Sequence, residues 1–349
     1  MGNRFDTFLK VLALTVISGC LLSGSNFWDS SRQNESHNLA PGHGMETIQN
    51  NASIAIATTV LNPGVTLPDW LDYHLRWVQH VVIYMDDPHE RPLFERLCGD
   101  RPVTLLEGSQ VDPSMTPESR LIRRQMANMK HAIAYLLKHE YTWLLHMDLD
   151  ELLNGPLVES RAWATDRQIG LVTFTNHEAL PVDFETSEPF KDCIHFWVNG
   201  VDRNANFAAY GNGKSAVRLG PYVEPRGPHS FSGYAGRAFT PSGDEAIILH
   251  YPYPSYNSWF RKFDFYGRFP DNWFGDRHAP KIIEFMLQSR DVIQTAHKTN
   301  DWASARAFFN RRVLDPKSRE EAISQGKIRQ YTPFANSWRT DGRLLQTPI

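Results

Sequence analysis

The chain has 349 residues, of which 41% are apolar, which is typical of a globular protein with one large core or two modest ones. Its formal net charge is -3, and no stretch is dense in Lys and Arg. Because proteins bind a nucleic-acid backbone through a surplus of basic residues, this charge balance argues against nucleic acid as a partner.

The N-terminal segment has the pattern of a targeting signal. Arg4 and Lys10 precede a run over residues 11–22 that contains only apolar and small residues. This run is shorter than the roughly 20 residues that span a bilayer, so residues 1–25 fit a cleaved signal peptide or a short signal anchor. The sequence "ISGC" within it also fits a bacterial lipoprotein cleavage site. A polar, disordered stem is expected next, over residues 26–50.

Beyond the targeting segment, two features are typical of an exported protein. Sequons begin at Asn34 and Asn51. Cys98 and Cys193 are the cysteines that remain, and in an oxidising compartment they can form one disulfide. The sequence holds no cysteine cluster of the kind that binds a metal.

The first half of the chain alternates β-branched apolar runs, which predict strands, with apolar residues at helical spacing. The predicted strands lie at residues 53–62, 80–88, 101–108 and in the segment 141–155. The predicted helices lie at residues 67–78, between the second and third strands, and at 116–140. Strands that alternate with helices predict a mostly parallel α/β sheet covered on both faces.

The second half of the chain is less regular. Strands are predicted at residues 169–180, 214–219 and 245–253. Gly and Pro crowd the loops between residues 211 and 243. The pattern then becomes helical, over residues 258–269, 280–293 and 302–313.

The segment "YTWLLHMDLDELLNG" (residues 141–155) is an apolar run that ends in Asp148, Asp150 and Glu151. In a parallel α/β sheet the ligand crevice lies at the carboxyl ends of the strands, where these acids are expected. If the chain stays extended, Asp148 and Asp150 point to the same side and converge. Two close carboxylates that stay ionised need a cation, and oxygen ligands with open positions suit Mn²⁺ or Mg²⁺ shared with a phosphate group.

Two other interpretations of these acids remain open. Asp148 or Asp150 can cap a helix that begins at Glu151, where the helix dipole favours acids. Alternatively, Asp148 is the nucleophile of a phosphatase of the haloacid-dehalogenase type. That class usually has Thr or Val where this chain has Leu152, and its acids lie near the start of the domain.

"WLLHMDLDELL", together with the preceding "RRQMANMKHAIAYLLKHEY", resembles the heart of a GT-A glycosyltransferase, where an Arg-Gln-x-x-x-Asn helix leads into a strand and Asp-x-Asp-Glu. More narrowly, the chain resembles glycosyltransferase family 92 and its family-2-like relatives. Three further stretches are similar to family segments: "LPDWLDYHLRWVQHVVIYMDD", "GKSAVRLGPYVEPRGPHSF" and "IILHYPYPSYNSWFRK". The chain departs from the family pattern at Asp69, where Glu is usual, and at Asp86-Asp87-Pro, where the family has Asp-Asn.

The resemblance implies a GT-A-like domain over residues 51–260 and a C-terminal helical extension over residues 261–349. It implies that Asp148 and Asp150 hold Mn²⁺ or Mg²⁺ against the diphosphate of a UDP-sugar, with His250 as a further ligand. For His250 the alternative is a structural role, and for Arg124 it is a solvated helix face. The residues expected near the nucleotide sugar are Thr58, Asp86, Asp87, Arg124, Gln125, Asn128 and Lys214.

The resemblance also implies an inverting transfer, in which a general base takes a proton from the acceptor hydroxyl. Glu178, Asp183 and His229 are the candidates for this base, and the sequence does not choose among them. Glu151 can instead orient the metal ligands from behind.

We therefore expect a metal-dependent enzyme that transfers galactose or another hexose from a UDP-sugar to a glycan acceptor. Its expected location is the secretory pathway, as a type II Golgi membrane protein that keeps its N-terminal segment in the membrane. A secreted protein and a bacterial lipoprotein are the alternatives for location. The alternatives for function are a metal-dependent hydrolase or nucleotidyl transferase, and a secreted carbohydrate-binding protein without activity.

Overall fold

The computed structural model describes residues 52–335. The predicted targeting segment (residues 1–25), the predicted stem (residues 26–50) and the sequon residues Asn34 and Asn51 lie outside the described residues. Between residues 52 and 335, no helix combines the length and the apolar character needed to cross a membrane.

Strands and helices alternate through the first half of the described chain and mix less regularly afterwards. The strands are β1 (Ile54–Val60), β2 (His80–Met85), β3 (Val103–Glu107), β4 (Trp143–His146), β5 (Glu151–Asn154), β6 (Ile169–Phe174), β7 (Asn176–Ala179), β8 (His195–Trp197), β9 (Lys214–Arg218), β10 (Glu224–Pro225), β11 (Phe231–Ser232), β12 (Arg237–Phe239), β13 (Ile247–His250) and β14 (Ile328–Gln330). The α-helices are α1 (Leu67–His74), α2 (Arg91–Cys98), α3 (Pro117–Lys138), α4 (Pro156–Ser160), α5 (Ala162–Thr165), α6 (Pro189–Asp192), α7 (Tyr256–Tyr266), α8 (Glu284–Thr299), α9 (Trp302–Asn310) and α10 (Pro316–Ser324).

The larger sheet has the strand order β12-β6-β9-β4-β1-β2-β3. β1 pairs in parallel with β2 and β4, and β3 extends the parallel run. β9 is antiparallel to both of its neighbours, β4 and β6. The order 3-2-1-4 is that of doubly wound sheets, which bind ligands at the carboxyl ends of their strands. The predicted fold class, a mostly parallel α/β sheet flanked by helices, is confirmed.

Every residue of β1 is buried, because helices cover both faces of the larger sheet. Trp70 of α1 and Phe94 of α2 belong to the core on one face. Met129 and Leu136 of α3 pack with Ala55 of β1 in the core on the other face. The long helix α3 therefore lies beside the strands whose carboxyl ends form the candidate site.

The smaller sheet has the strand order β14-β8-β7-β13-β5. The chain passes from the larger sheet to the smaller one three times, between β4 and β5, between β6 and β7 and between β12 and β13. For this reason residues 169–180 form two strands, and the prediction of a single strand there is wrong. The first of these passages, between β4 and β5, contains Asp148 and Asp150.

Residues 147–150, which we call the acidic turn, link β4 to β5. β4 ends at His146, and the chain turns at Leu149 and Asp150. The predicted extended path through Asp148 and Asp150 is therefore wrong. So is the alternative of a helix that begins at Glu151, because Glu151 starts β5 and pairs with His250 of β13.

The C-terminal helices α7, α8 and α9 share an aromatic core. Trp259, Phe263 and Phe309 are buried together, and the Trp259 indole N–H donates to Ser289 Oγ at 2.9 Å. These helices correspond to the three predicted from the sequence, with shifted bounds. Helix α10 and strand β14, which pairs antiparallel with β8, are not predicted by the pattern.

Cys98 and Cys193 are free, buried thiols, so the disulfide that the sequence left open is not formed. Cys193 follows α6, and its Sγ lies 3.7 Å from the carbonyl oxygen of Pro254. Burial raises the pKa of Cys193 to about 12, which keeps the thiol protonated and unreactive.

Gly155 closes β5 with a φ of 129°, and a Cβ there would lie 2.5 Å from the carbonyl oxygen of Glu245. We expect Gly155→Ala to lower the free energy of unfolding by roughly 2–4 kcal/mol, because neighbouring backbone must move. Gly326→Ala is the control: Gly326 also has a positive φ, but a Cβ there meets nothing within 4 Å. Its expected cost is about 1 kcal/mol. Urea denaturation measures both variants, and equal losses would contradict the expectation.

Candidate active site

A cavity of 1070 Å³ opens at the carboxyl ends of the parallel strands. Thr59 and Val60 of β1 line it, as does Asp86 after β2. The acidic turn contributes residues 148–150, on the other side of β1 from β2. Helix α7 and residues 273–286, which we call the C-terminal wall, complete the lining. This is the position at which a doubly wound sheet is expected to bind a ligand.

Asp148 is held by two side chains from distant parts of the sequence. The amide of Gln125, on α3, donates to Asp148 Oδ1 at 2.7 Å. The ammonium of Lys214, on β9, donates to Asp148 Oδ2 at 2.5 Å and is itself fully buried. Burial acts to raise the pKa of Asp148, but the charge of Lys214, its hydrogen bond and the nearby histidines together outweigh burial, and the pKa is lowered. Asp148 is therefore an ionised, fixed carboxylate.

Glu151 stabilises the acidic turn through a hydrogen bond to its backbone. Its side chain is fully buried, and its Oε2 accepts from the backbone N–H of Asp148 at 2.7 Å. The same oxygen lies 3.8 Å from Lys214 Nζ. Burial raises the pKa of Glu151 well above its usual value, with the nearby Asp148 and Asp150 acting in the same direction. Glu151 thus orients the turn rather than facing a ligand, which agrees with the supporting role suggested by the sequence.

Asp150 is the more available carboxylate of the acidic turn. Its side chain is 35% exposed, and its Oδ2 lies 3.6 Å from Lys262 Nζ and 3.8 Å from His250 Nε2. The His250 ring stacks on Tyr210, with 4.6 Å between ring centroids. Burial lowers the pKa of His250 to about 4, so the ring is neutral at physiological pH and keeps a nitrogen lone pair.

The geometry of the acidic turn fits a divalent cation held by Asp150 and His250. Their facing atoms are 3.8 Å apart, and Asp150 makes ion pairs no shorter than 3.6 Å, so its oxygens are open to a ligand. Both oxygens of Asp148, in contrast, already accept hydrogen bonds. In the described part of the chain, no three His, Cys, Asp or Glu side chains form a ready metal cage. A cation here therefore needs further oxygens from a bound phosphate or from water.

Four of the residues expected near the nucleotide line the cavity: Asp86, Arg124, Gln125 and Lys214. Arg124 Nη1 donates to Asp86 Oδ2 at 2.5 Å, and the Arg124 side chain is mostly buried. The alternative of a solvated helix face is therefore wrong, and Arg124 would have to leave Asp86 to bind a phosphate through Nη1. Gln125 bonds Asp148, as described above. Lys214, also expected there, lines the cavity through its pair with Asp148.

Three other expected residues, Thr58, Asn128 and Asp87, do not line the cavity. Thr58 is buried within β1, and its neighbour Thr59 lines the cavity instead. Asn128 is buried and donates to Thr59 Oγ1 at 2.9 Å. Asp87 caps a short 3₁₀ turn by accepting from the backbone N–H of His89 at 2.9 Å. The structure thus gives these residues supporting positions.

The candidates for the general base are spread through the fold. Glu178 is buried in β7, where its carboxylate accepts from the backbone N–H groups of Ala208 and Ala209, and burial raises its pKa to about 7. Asp183 is exposed and does not line the cavity. His229 does line it.

The ring of His229 is fixed by two contacts. Its Nδ1 is bonded to the carbonyl oxygen of Gly213 at 2.7 Å, and the ring lies 4.5 Å from that of Tyr210. Burial, reinforced by Lys214, lowers the pKa of His229 to about 3. A carbonyl partner requires Nδ1 to carry the proton, which leaves the Nε2 lone pair free.

Several lining residues were not singled out in the sequence. Arg261 and Lys262 are adjacent basic residues on the aromatic helix α7, and this local pattern could have identified them in the sequence. Tyr210, which stacks on His250, lies in an irregular loop that carries no periodicity. Others among them are Arg120 on α3 and Phe265, Trp273 and Lys281 on the C-terminal wall.

The sequence is similar to known proteins over part of its length. No protein-family model matches the chain. It is 27% identical over 158 residues to one glycosyltransferase-like protein of Arabidopsis thaliana, covering 39% of this chain and 31% of that protein. It is 28% identical over 158 residues to a second, covering 39% of this chain and 35% of that protein. The chain thus spans about a third of the length of these relatives, which support the broad resemblance to glycosyltransferases but not the narrower one to family 92.

Solved structures show weak likeness. The glucosyl-3-phosphoglycerate synthase of Mycobacterium tuberculosis matches with 13% identity and a TM-score of 0.23, over 45% of this chain and 54% of that one. The mannosyltransferase Ktr4p of S. cerevisiae matches with 8% identity and a TM-score of 0.24, over 53% and 52%. HddC of Yersinia pseudotuberculosis matches with 10% identity and a TM-score of 0.30, over 57% and 93%. At these TM-scores the likenesses carry no functional argument.

Replacing Lys214 by Met leaves Asp148 and Glu151 buried without their cation. We expect the free energy of unfolding of Lys214→Met to fall by roughly 3–5 kcal/mol at pH 7, because a buried pair that loses one partner leaves the other unsolvated. Adding Asp148→Asn to this variant should recover part of the loss. Chemical denaturation of wild type and both variants measures the effect. A single variant as stable as the wild type would show that Lys214 does not hold the turn.

Proposed function

We propose that this protein is a metal-dependent, inverting glycosyltransferase that transfers galactose or another hexose from a UDP-sugar to a glycan acceptor. The observation that carries the proposal is the acidic turn, which places one fixed and one available carboxylate in a 1070 Å³ cavity at the strand ends. The partial similarity to glycosyltransferase-like proteins supports the same reaction class. Membership of family 92 is part of the proposal.

The donor is proposed to lie with its nucleoside toward Thr59 and the Asp86–Arg124 pair and its diphosphate toward the acidic turn. Asp150 and His250 would hold Mn²⁺ or Mg²⁺ there together with diphosphate oxygens. When bound, such a cation acts as a Lewis acid that stabilises the charge on the departing diphosphate. Lys262, whose Nζ is 3.6 Å from Asp150, places a further positive charge beside the same position.

The proposed base is His229, since Glu178 and Asp183 do not reach the cavity. Its Nδ1 is bonded to Gly213, so its free Nε2 would accept the proton of the acceptor hydroxyl as that oxygen attacks the sugar. Because burial and Lys214 lower the pKa of His229 to about 3, this role requires the negative charge of the bound donor to raise that pKa. Asp148, held by Gln125 and Lys214, keeps the turn in one geometry during transfer.

The assay that tests the proposal incubates the full chain with UDP- and GDP-sugars, Mn²⁺ and a panel of glycans, and measures nucleoside diphosphate release and glycan products. We expect Asp150→Ala to lower kcat at least about 100-fold, because it removes a direct cation contact. Asp148→Ala should lower kcat by about 10- to 100-fold through a misplaced turn.

Asp100→Ala, an exposed carboxylate between α2 and β3, is the matched control and should keep wild-type activity. Sugar release to water alone would indicate a hydrolase, and nucleoside monophosphate transfer a nucleotidyl transferase. Glycan binding without turnover of any donor would indicate a carbohydrate-binding protein. Any of these results would overturn the proposed reaction.

His229→Gln should lower the kcat of transfer by about 10²–10⁴-fold while UDP affinity stays within twofold, because a base acts on the acceptor and not on the donor. Asp183→Asn, which changes an exposed residue outside the cavity, should stay near wild type. The reverse pattern, with Asp183→Asn inactive and His229→Gln active, would assign the base to Asp183. Steady-state kinetics and UDP titration provide the two measurements.

From the sequence of the N-terminal segment we also propose that the protein resides in the secretory pathway, where this segment anchors it in the Golgi membrane. The targeting pattern and the sequons support this proposal. Localisation of the full chain and of a chain without residues 1–25 would test it.

A further inference from the structure

The cavity is lined by more basic than acidic side chains. Its acids are Asp86, Asp148 and Asp150, and each has a basic partner in the cavity. Asp86 pairs with Arg124 at 2.5 Å, Asp148 with Lys214 at 2.5 Å and Asp150 with Lys262 at 3.6 Å. These three pairs are neutral together, since each joins one acid and one base.

Three more basic residues line the same cavity without an acidic partner. Within residues 52–335, Arg120, Arg261 and Lys281 make no ion pair with a carboxylate. The Nε of Arg120 is buried and has no hydrogen-bond partner in that part of the chain. This side chain has therefore given up water on one nitrogen without gaining a protein acceptor, which costs free energy unless a ligand supplies one.

These three cations belong to the side of the cavity built by the C-terminal wall. Arg261 precedes Lys262 on α7, and Lys281 follows Pro280, whose carbonyl accepts from the backbone N–H of Trp273 at 3.2 Å. The start of α3, which carries Arg120, meets the same wall, since the guanidinium of Arg123 lies 5.4 Å from the Phe274 ring centre.

The wall also presents aromatic surface to the cavity. Phe265 is 54% exposed, and both Phe265 and Trp273 are part of the lining. Aromatic rings suit the apolar face of a sugar ring, while the neighbouring cations suit an anion. The C-terminal wall thus combines the two features that a charged sugar would use.

The donor does not account for this surplus of positive charge. A nucleotide-sugar diphosphate carries two negative charges, and a divalent cation at Asp150 and His250 offsets them. Arg120, Arg261 and Lys281 then remain without a counter-charge, in a chain whose formal net charge is -3. Like charges that line one cavity raise the potential there and attract an oppositely charged ligand.

We infer that the C-terminal wall binds an acceptor glycan that carries an anionic group, such as a phosphate, a sulfate or a uronic carboxylate. Arg120, Arg261 and Lys281 contact the anion, and Phe265 and Trp273 contact the sugar ring. The inference rests on the proposed function for its description of the ligand as an acceptor.

The test compares Arg261→Gln/Lys281→Gln with the wild-type full chain. The matched control is Lys298→Gln, which changes an exposed lysine on α8 that is not part of the lining. The ligands are one neutral oligosaccharide and its phosphorylated, sulfated and uronic acid counterparts. Calorimetry in the presence of UDP and Mn²⁺ measures their affinity without requiring turnover, and kinetics with a UDP-sugar measures KM for donor and acceptor separately.

We expect at least one acidic oligosaccharide to bind the wild type about tenfold or more tightly than the neutral one, and the double variant to lose this difference. The donor KM should stay within twofold, and the three acidic ligands identify which anion is preferred. Equal affinity for all four oligosaccharides would overturn the inference, as would a donor KM that rises as much as the acceptor KM. Selective acidic binding without turnover of any donor would overturn the proposed function and leave the anion site standing.

Discussion

The buried ammonium of Lys214 is the contact on which the candidate site depends, because it lies among the acids that follow β4. Its Nζ is 2.5 Å from Asp148 and 3.8 Å from Glu151, and it is fully buried. Without a cation there, Asp148, Asp150 and Glu151 would place their charges together within one short turn. Coulomb repulsion at low dielectric would then protonate a carboxylate or open the turn. β9 can supply this lysine because it runs antiparallel beside β4, so that its first residue lies next to the end of β4.

The site is assembled from segments that are distant in sequence. The acidic turn joins the two sheets, and Glu151 at its end pairs with His250 on β13. His250 and Lys262 both approach Asp150, one from the smaller sheet and one from the C-terminal helices. The backbone of each group belongs to a regular element, and ligands carried on such elements are held closer to one geometry than ligands on loops.

The sequence predicts the sheet and the acids better than it predicts their surroundings. Continuous β-branched runs predict β1, β2 and β3, since strands buried on both faces need no polar alternation. The acidic turn was predicted as extended chain, because a local pattern carries no information about a change of sheet at Asp150. The same holds for residues 169–180. Lys214 and Gln125 could be named as site residues, but their bonds to Asp148 are long-range and have no local signal. Similarly, the burial of Glu178 depends on the loop at Ala208, 30 residues away.

The two aspartates of the acidic turn differ in what their carboxylates can bind, because their neighbours differ. Asp148 and Asp150 are the same residue type two positions apart, yet Asp148 accepts two hydrogen bonds within 2.7 Å, while Asp150 lies 3.6 Å from the ammonium of Lys262 and 3.8 Å from the neutral ring of His250. A carboxylate whose oxygens already accept hydrogen bonds, as those of Asp148 do, must break those bonds before it binds anything else, which costs free energy. One whose partners lie beyond hydrogen-bond distance can accept a ligand without that cost. Asp148 is thus suited to hold the turn and Asp150 to meet the ligand, a division set by Lys214, Gln125 and Lys262 rather than by the motif itself.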